Sequence, residues 1–134
     1  MTAAGGATLG SAQRLKSQPE FRAVYQRGQR AGGRWLTVVV LPRRGGGPEA
    51  SRLGVSVSKD HGGAVRRNKL KRLLREAFRH ERQQLPFALD VVLIPRQRPD
   101  DFPLAELRRE LVPLIQRALQ GGDRRRPRPP GGRP

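Results

Sequence analysis

Apolar residues recur along this chain at two periods, helical and strand-like, and their alternation sets out the elements. In SQPEFRAVYQRG, residues 17–28, Phe21, Val24 and Tyr25 stand at i, i+3 and i+4. Ser17 and Glu20 precede and overlap them in the S-x-x-E spacing of a capping box, and Gly28 closes the run, which predicts a short amphipathic helix. WLTVVVL, residues 35–41, and RLGVSVS, residues 52–58, are rich in β-branched residues and enclose the turn-rich RRGGGPEAS, so they are expected to pair as a hairpin. In the second strand Leu53, Val55 and Val57 share one face, while Gly54, Ser56 and Ser58 share the other. FALDVVLIP predicts a further strand ending at Pro95. Leu104, Leu107, Leu111, Leu114, Ile115, Ala118 and Leu119 then keep helical spacing, which predicts a closing helix that Pro113 kinks or splits, at about 3 kcal/mol if it stays whole.

Residues 66–85 carry two patterns at once. Wound at about 100° per residue, Leu70, Leu73, Leu74, Ala77, Phe78 and Leu85 fall within an arc of roughly 140°. Asn68, Lys71, Arg72, Arg75, Arg79 and Arg82 fall opposite, within roughly 100°. One helix therefore serves a core and a basic stripe on different sides, with Glu76 placed to pair with Arg72 or Arg79. The predicted order is helix, strand, strand, helix, strand, helix, which is the order of a single-domain α+β sandwich around one core.

Composition sharpens the partner. Lys and Arg number 28 against 11 acidic residues, for a formal charge of +17, and only 4 of the 28 are Lys. Self-repulsion of that size calls for a polyanion, and the planar fork of Arg suits phosphate oxygens and bases better than a lipid surface. With no Cys, disulfides and thiolate zinc sites are excluded. Neither a secretory leader nor a membrane span is visible, so a cytoplasmic protein with no membrane partner is expected. Residues 1–12 and the GGDRRRPRPPGGRP tail, 121–134, read as disordered ends around a domain at 13–120. His61 and His80 have no Cys or paired carboxylates nearby in sequence, so the chain offers no catalytic centre of its own.

Two features admit more than one reading from residues alone. The small-residue face of Gly54, Ser56 and Ser58 allows either close approach of another backbone or packing beneath a helix. Phe21 and Tyr25 are placed either for base stacking or for the core. The stripe suits a phosphate backbone, of RNA or DNA, with Asn68 able to reach a base, ribose or phosphate.

VSVSKDHGGAVRRNKLKRLLREAFR resembles the signature of the bacterial ribonuclease P protein subunit. Arg67, Asn68, Lys71, Arg72, Arg75 and Glu76 match its R-N-x-x-K-R-x-x-R-E pattern. RLKSQPEFRAVYQRGQR is similar to the family's first helix and LDVVLIPR to its last strand, so the resemblance spans about residues 14–119. It implies a left-handed βαβ crossover through the basic helix, with room for a third strand before it, in a fold also found in the second domain of a ribosomal protein. It further implies an RNA-based endonuclease that removes the 5′ leader of precursor tRNA, with the active site and Mg2+ in the catalytic RNA and no cofactor on the protein. Protein and catalytic RNA are expected one to one. By the same resemblance Lys59, Arg66, Arg67, Asn68, Lys69, Lys71, Arg72, Arg75 and Arg79 would face the catalytic RNA. Phe21, Arg22, Tyr25, Gly54, Ser56 and Ser58 would line a cleft for the leader. Lys69 stands where the family often has Arg, and Asp60 where a second Lys is common. The alternative is a structural RNA-binding protein of ribosomal or chaperone type without a nuclease, and behind it a DNA-binding helix.

Overall fold

The computed structural model describes residues 14–96 and 103–121. The expected disordered ends lie outside them, apart from Gly121. The element order is α1 (Gln18–Arg27), β1 (Gln29–Gly32), β2 (Leu36–Pro42), β3 (Arg52–Val55), α2 (Ala64–Glu81), β4 (Leu89–Pro95) and α3 (Leu104–Leu119), with short 3-10 turns at Pro48–Ala50, Lys59–His61 and Arg82–Gln84. The α+β sandwich expected from the sequence is thus formed, with α1 on one face of a mixed sheet and α2 and α3 on the other.

Each helix begins and ends for local reasons. At α1, the Ser17 hydroxyl accepts from the Glu20 amide while the Glu20 carboxylate accepts from the Ser17 amide, the two halves of the capping box, and Pro19 occupies the first turn. Through α3, Pro113 does not split the helix. It sits on the exposed side, where the carbonyl it leaves without an amide partner faces water.

The sheet order is β1-β2-β4-β3, which overturns the expected hairpin of 35–41 with 52–58. β2 pairs antiparallel with β4, and β3 pairs parallel with β4, so the later strand inserts between the two earlier ones. The reason is burial. LDVVLIP is apolar at nearly every position and needs cover on both faces, which only a central strand receives. RLGV is short, opens on a charged residue and is only partly buried at both ends, which suits an edge. The hairpin that does form joins β1 to β2, where the polar QRAG carries almost no strand signal of its own and is recruited by pairing.

Two cores result. Leu36, Val38, Val40, Leu53, Val91 and Leu93 pack against Leu70, Leu74, Phe78, Leu107, Leu111 and Ile115 under α2 and α3. Across the sheet, Val39 and Val92 pack with Val24 and Leu15, flanked by partly buried Phe21, Tyr25, Leu41 and Ile94. Leu15 donates its amide to the Leu53 carbonyl, and Arg14 bridges Leu53 in parallel, so the chain entering α1 covers the outer edge of β3.

Candidate nucleic-acid interface

α2 is held by its leucines and presents its cations by default. Leu70, Leu74, Ala77 and Phe78 are buried as the periodicity predicts. Arg66, Asn68, Lys69 and Arg72 are exposed, while Arg67, Lys71, Arg75 and Arg79 are half-buried. Residues 66–75 hold six Lys or Arg and no acid. Val65, 86% exposed, stands in the first turn among them, an apolar side chain that packing in this fold does not explain. The loop before α2 requires a glycine at Gly62, whose φ of 114° disfavours any side chain, and the Arg67 Nε donates to the Gly62 carbonyl. Lys59 and Ser58 lie on the approach to this loop, both exposed.

The stripe is not uniform, contrary to the single basic side of Asn68, Lys71, Arg72, Arg75, Arg79 and Arg82 expected from sequence. At its C-terminal end Arg79 is paired with Glu76, which also meets His80. The Arg79 bond, with help from His80, holds the Glu76 carboxyl below the usual range. Glu81 is buried and pairs with Arg108 of α3 at 2.7 Å. Arg82, counted in the stripe, turns inward and is 6% exposed. The stretch of cations with no acid among them in sequence is therefore the N-terminal half of α2.

Sequence reasoning missed Arg14. Burial, and then the nearby charge of Arg14, push the Arg75 guanidinium downward from its ordinary value. A like charge nearby disfavours the charged form of the guanidinium, in the same direction as burial. Only the pairing of the entry segment with β3 brings Arg14 there, and nothing in the local sequence signals it.

On the other face, Phe21 and Tyr25 stand one turn apart with ring centroids 6.4 Å apart and tilted by 44°. Both are partly buried, so the two readings of these rings combine: one side of each packs on the sheet and the other is accessible. Gly54 differs from the open surface expected of it. It is buried, because Phe21 and Leu15 occupy the space above it. A Cβ there would stand 2.6 Å from Phe21 Cε1 and Cζ. The small residue thus seats α1, and the reachable part of this face is Ser56 and Ser58. Burial pushes the Tyr25 phenol upward, and a hydrogen bond with the Ser56 side chain opposes the shift. Arg22 is exposed on α1, about 100° round the helix from Phe21.

An ion network fixes α1 over the sheet. Arg52 of β3 makes a paired contact with buried Asp90 of β4, Nε to Oδ1 at 2.9 Å and Nη2 to Oδ2 at 2.8 Å. Its Nη1 reaches Glu20 of α1 at 3.1 Å. The bond to Asp90 is the main cause that raises the Arg52 value further, while amides of Lys16 and Ser17 hold Glu20 low. Among the described residues no cluster of His, Asp or Glu is placed to hold a metal ion, and no helix is long and apolar enough to cross a membrane.

Fold and surfaces together define a small basic α+β sandwich with a guanidinium-rich helix on one side of the sheet and a partly buried aromatic pair on the other. Residues 9–119 match the ribonuclease P family, and the chain belongs to it. The ribonuclease P protein component of Desulfovibrio desulfuricans is 41% identical over 106 residues, spanning 78% of this chain and 81% of that protein. That of Shouchella clausii is 40% identical over 106 residues, spanning 79% and 85%. Among solved structures, the Staphylococcus aureus RNase P protein aligns with a TM-score of 0.66 at 31% identity, covering 79% of this chain and 94% of that one. The Thermotoga maritima RNase P protein aligns with a TM-score of 0.67 at 30% identity, covering 78% and 96%. The chain is thus an RNA-binding protein component of ribonuclease P, acting in tRNA processing.

Proposed function

We propose that the N-terminal half of α2 docks on the catalytic RNA of ribonuclease P, one protein to one RNA, while the face between α1 and β3 holds the 5′ leader of precursor tRNA. The observation that carries this reading is the run of six cations without an acid over residues 66–75, on a helix whose leucines are locked in the core. A rigid rod of this kind neutralises successive phosphates without ordering itself on binding. Lys59, Arg66, Arg67, Asn68, Lys69, Lys71, Arg72 and Arg75 form this contact, with Arg14 joining Arg75 at its edge. Arg79, already paired with Glu76, contributes less. Phe21, Tyr25, Ser56, Ser58 and Arg22 meet the leader, with Gly54 acting from beneath by seating Phe21. Bases stack on the accessible ring faces, and the Ser56 and Ser58 hydroxyls reach backbone or base edges. Hydrolysis belongs to the RNA, with Mg2+ bound there, in the cytoplasm.

Reconstitution with the cognate RNA tests this. Arg72→Ala with Arg75→Ala is expected to flatten the salt dependence of protein–RNA affinity by about 0.7–0.9 in log–log slope for each phosphate no longer neutralised. Leader-bearing precursor should bind the holoenzyme more tightly than leaderless tRNA, and Tyr25→Ala should reduce that difference. An unchanged slope would place the docking face elsewhere, and indifference to the leader would remove the cleft assignment.

A further inference from the structure

The buried side of α2 is that of Leu70, Leu74, Ala77 and Phe78. At about 100° per residue, Val65 and Arg72 fall within about 20° of the direction opposite its centre, and Asn68 and Lys69 about 50° to either side. All four are exposed, Val65 at 86%. Val65 and Asn68, at i and i+3, are neighbours on this outward ridge, and they are the two uncharged residues of the run VRRNK, 65–69. Glu76, the first acid of the helix, lies further along and is taken by Arg79 and His80.

Phosphate neutralisation accounts for neither residue of the pair. A single apolar side chain at a surface is ordinary. This one stands in the middle of the face that docking would cover, about 10 Å along the axis from Arg72. Valine has no charge to offer a phosphate, and alanine is the better helix former at an exposed position. An amide donates and accepts through adjacent atoms, which matches a base edge, whereas a phosphate only accepts. The chain ahead of the pair is bare. Gly62 needs its φ of 114°, but Gly63 has a φ of −75° and a Cβ on it would meet nothing within 4 Å, so neither backbone strain nor packing calls for glycine there. With Ala64 also exposed, residues 62–64 leave room for close approach to the end of the ridge.

We infer that Val65 and Asn68 form a nucleobase contact at the start of α2: the face of one unpaired base of the catalytic RNA lies against the valine methyls while its edge hydrogen-bonds the Asn68 amide. This rests on the docking reading given above and adds to it a contact that reads a base rather than charge. A base splayed from a loop or bulge presents face and edge together, which a paired base in an A-form helix does not. Lys69 and Arg72, on the same ridge, neutralise phosphates of the strand that carries it.

The test is binding of the full chain to its cognate catalytic RNA across a salt series. Val65→Ala is expected to weaken binding by about tenfold and Asn68→Ala by about fivefold, each equally at every salt concentration, so that the log–log slope stays that of the parent. Because both side chains are exposed, neither change should move the Tm of the free protein by more than about 4 °C. Chemical probing of Watson–Crick edges should find one base that the parent protects and Asn68→Ala leaves open. Exchanging that base in the RNA should weaken the parent and leave Asn68→Ala unaffected. Parent-like affinity in both alanine variants, a lowered slope, or a footprint without a protected base would overturn the inference. So would a larger fall in Tm for Val65→Ala, which would place that side chain within the fold. If Arg72→Ala with Arg75→Ala also leaves affinity and slope unchanged, the docking reading itself falls. If that double variant weakens binding while the Val65 and Asn68 variants do not, the base contact alone is lost.

Discussion

Gly54→Ala adds one methyl group at the point where α1 rests on the sheet. The new carbon would lie 2.6 Å from two Phe21 ring atoms and 3.0 Å from Leu15 Cδ1. Carbon pairs settle at about 3.5–4.0 Å, so the ring has to withdraw by about 1 Å. It has little freedom to do so alone, because Val24, less than one turn away, is fully buried against Val39 and Val92. The displacement is therefore carried by α1 as a body. Overpacking of this kind costs about 1–3 kcal/mol, and replacing glycine within a strand returns about 0.5–1 kcal/mol. The net loss is up to about 2.5 kcal/mol, a fall of up to about 10 °C in Tm for a domain of this size. Thermal unfolding measures it, and a double-mutant cycle with Phe21→Leu assigns it. Leucine vacates the space above residue 54, so the double variant should recover at least 1 kcal/mol relative to the sum of the single changes. Because the same ring borders the cleft, the Gly54→Ala holoenzyme should also lose affinity for leader-bearing precursor and keep it for leaderless tRNA. Additive stabilities within about 0.5 kcal/mol would refute the seating of Phe21 on Gly54, and with it the account of how α1 is placed.

Two further outcomes follow from the same face. Arg52→Ala leaves Arg43, at 3.8 Å, as the one cation paired with buried Asp90 among the described residues, and should destabilise by about 3 kcal/mol in denaturant titration, a loss largely reversed by adding Asp90→Ala. Tyr25 is the only tyrosine, so its phenolate absorbance titrates alone, with a midpoint above 10.0 that rises further in Ser56→Ala. Because the folded state keeps that proton longer than the unfolded chain, stability should decline as pH rises past 10.0 rather than increase.

What the sequence made legible was local. Ser17 and Glu20 mark the start of α1 because both halves of a capping box lie within four residues. The leucines of α2 name its buried side because helical periodicity relates residues three and four apart. The sheet order was not legible in the same way. Ten residues between two apolar runs look like a hairpin loop, and only the two-sided burial of β4, which follows β3 after the whole of α2, decides which strand is central. Hydrogen bonds join Trp35 to Glu106 and Glu110 across more than seventy residues, and the charge of Arg14 is felt at Arg75 because the entry segment pairs with β3. Periodicity also places a residue on a side without saying whether that side is solvent. The same arc of about 100° holds Arg72, exposed near the middle of α2, and Arg82, buried just past its end, where the 3-10 turns Pro48–Ala50 and Arg82–Gln84 pack together.

Arg82 separates the two roles that basic residues take on this rod. Its Nε and Nη1 are buried without a hydrogen-bond partner, and burial pushes its value downward against the opposing pull of Glu49. A guanidinium in that state contributes packing through its aliphatic stem and loses hydration it does not recover. Methionine keeps a stem of similar length and removes the charge. Arg82→Met is therefore expected to be neutral or to stabilise the fold by about 1 kcal/mol or more, and to leave the salt dependence of RNA binding unchanged. Arg72→Met, made on the exposed part of the same helix, should do the opposite: stability within about 0.5 kcal/mol of the parent, and a salt slope lower by about 0.7–0.9. Were Arg82→Met to destabilise the protein and lower the slope as Arg72→Met does, Arg82 would have to swing outward to meet RNA. The division of α2 into an RNA-facing half and a half neutralised within the fold would then fail.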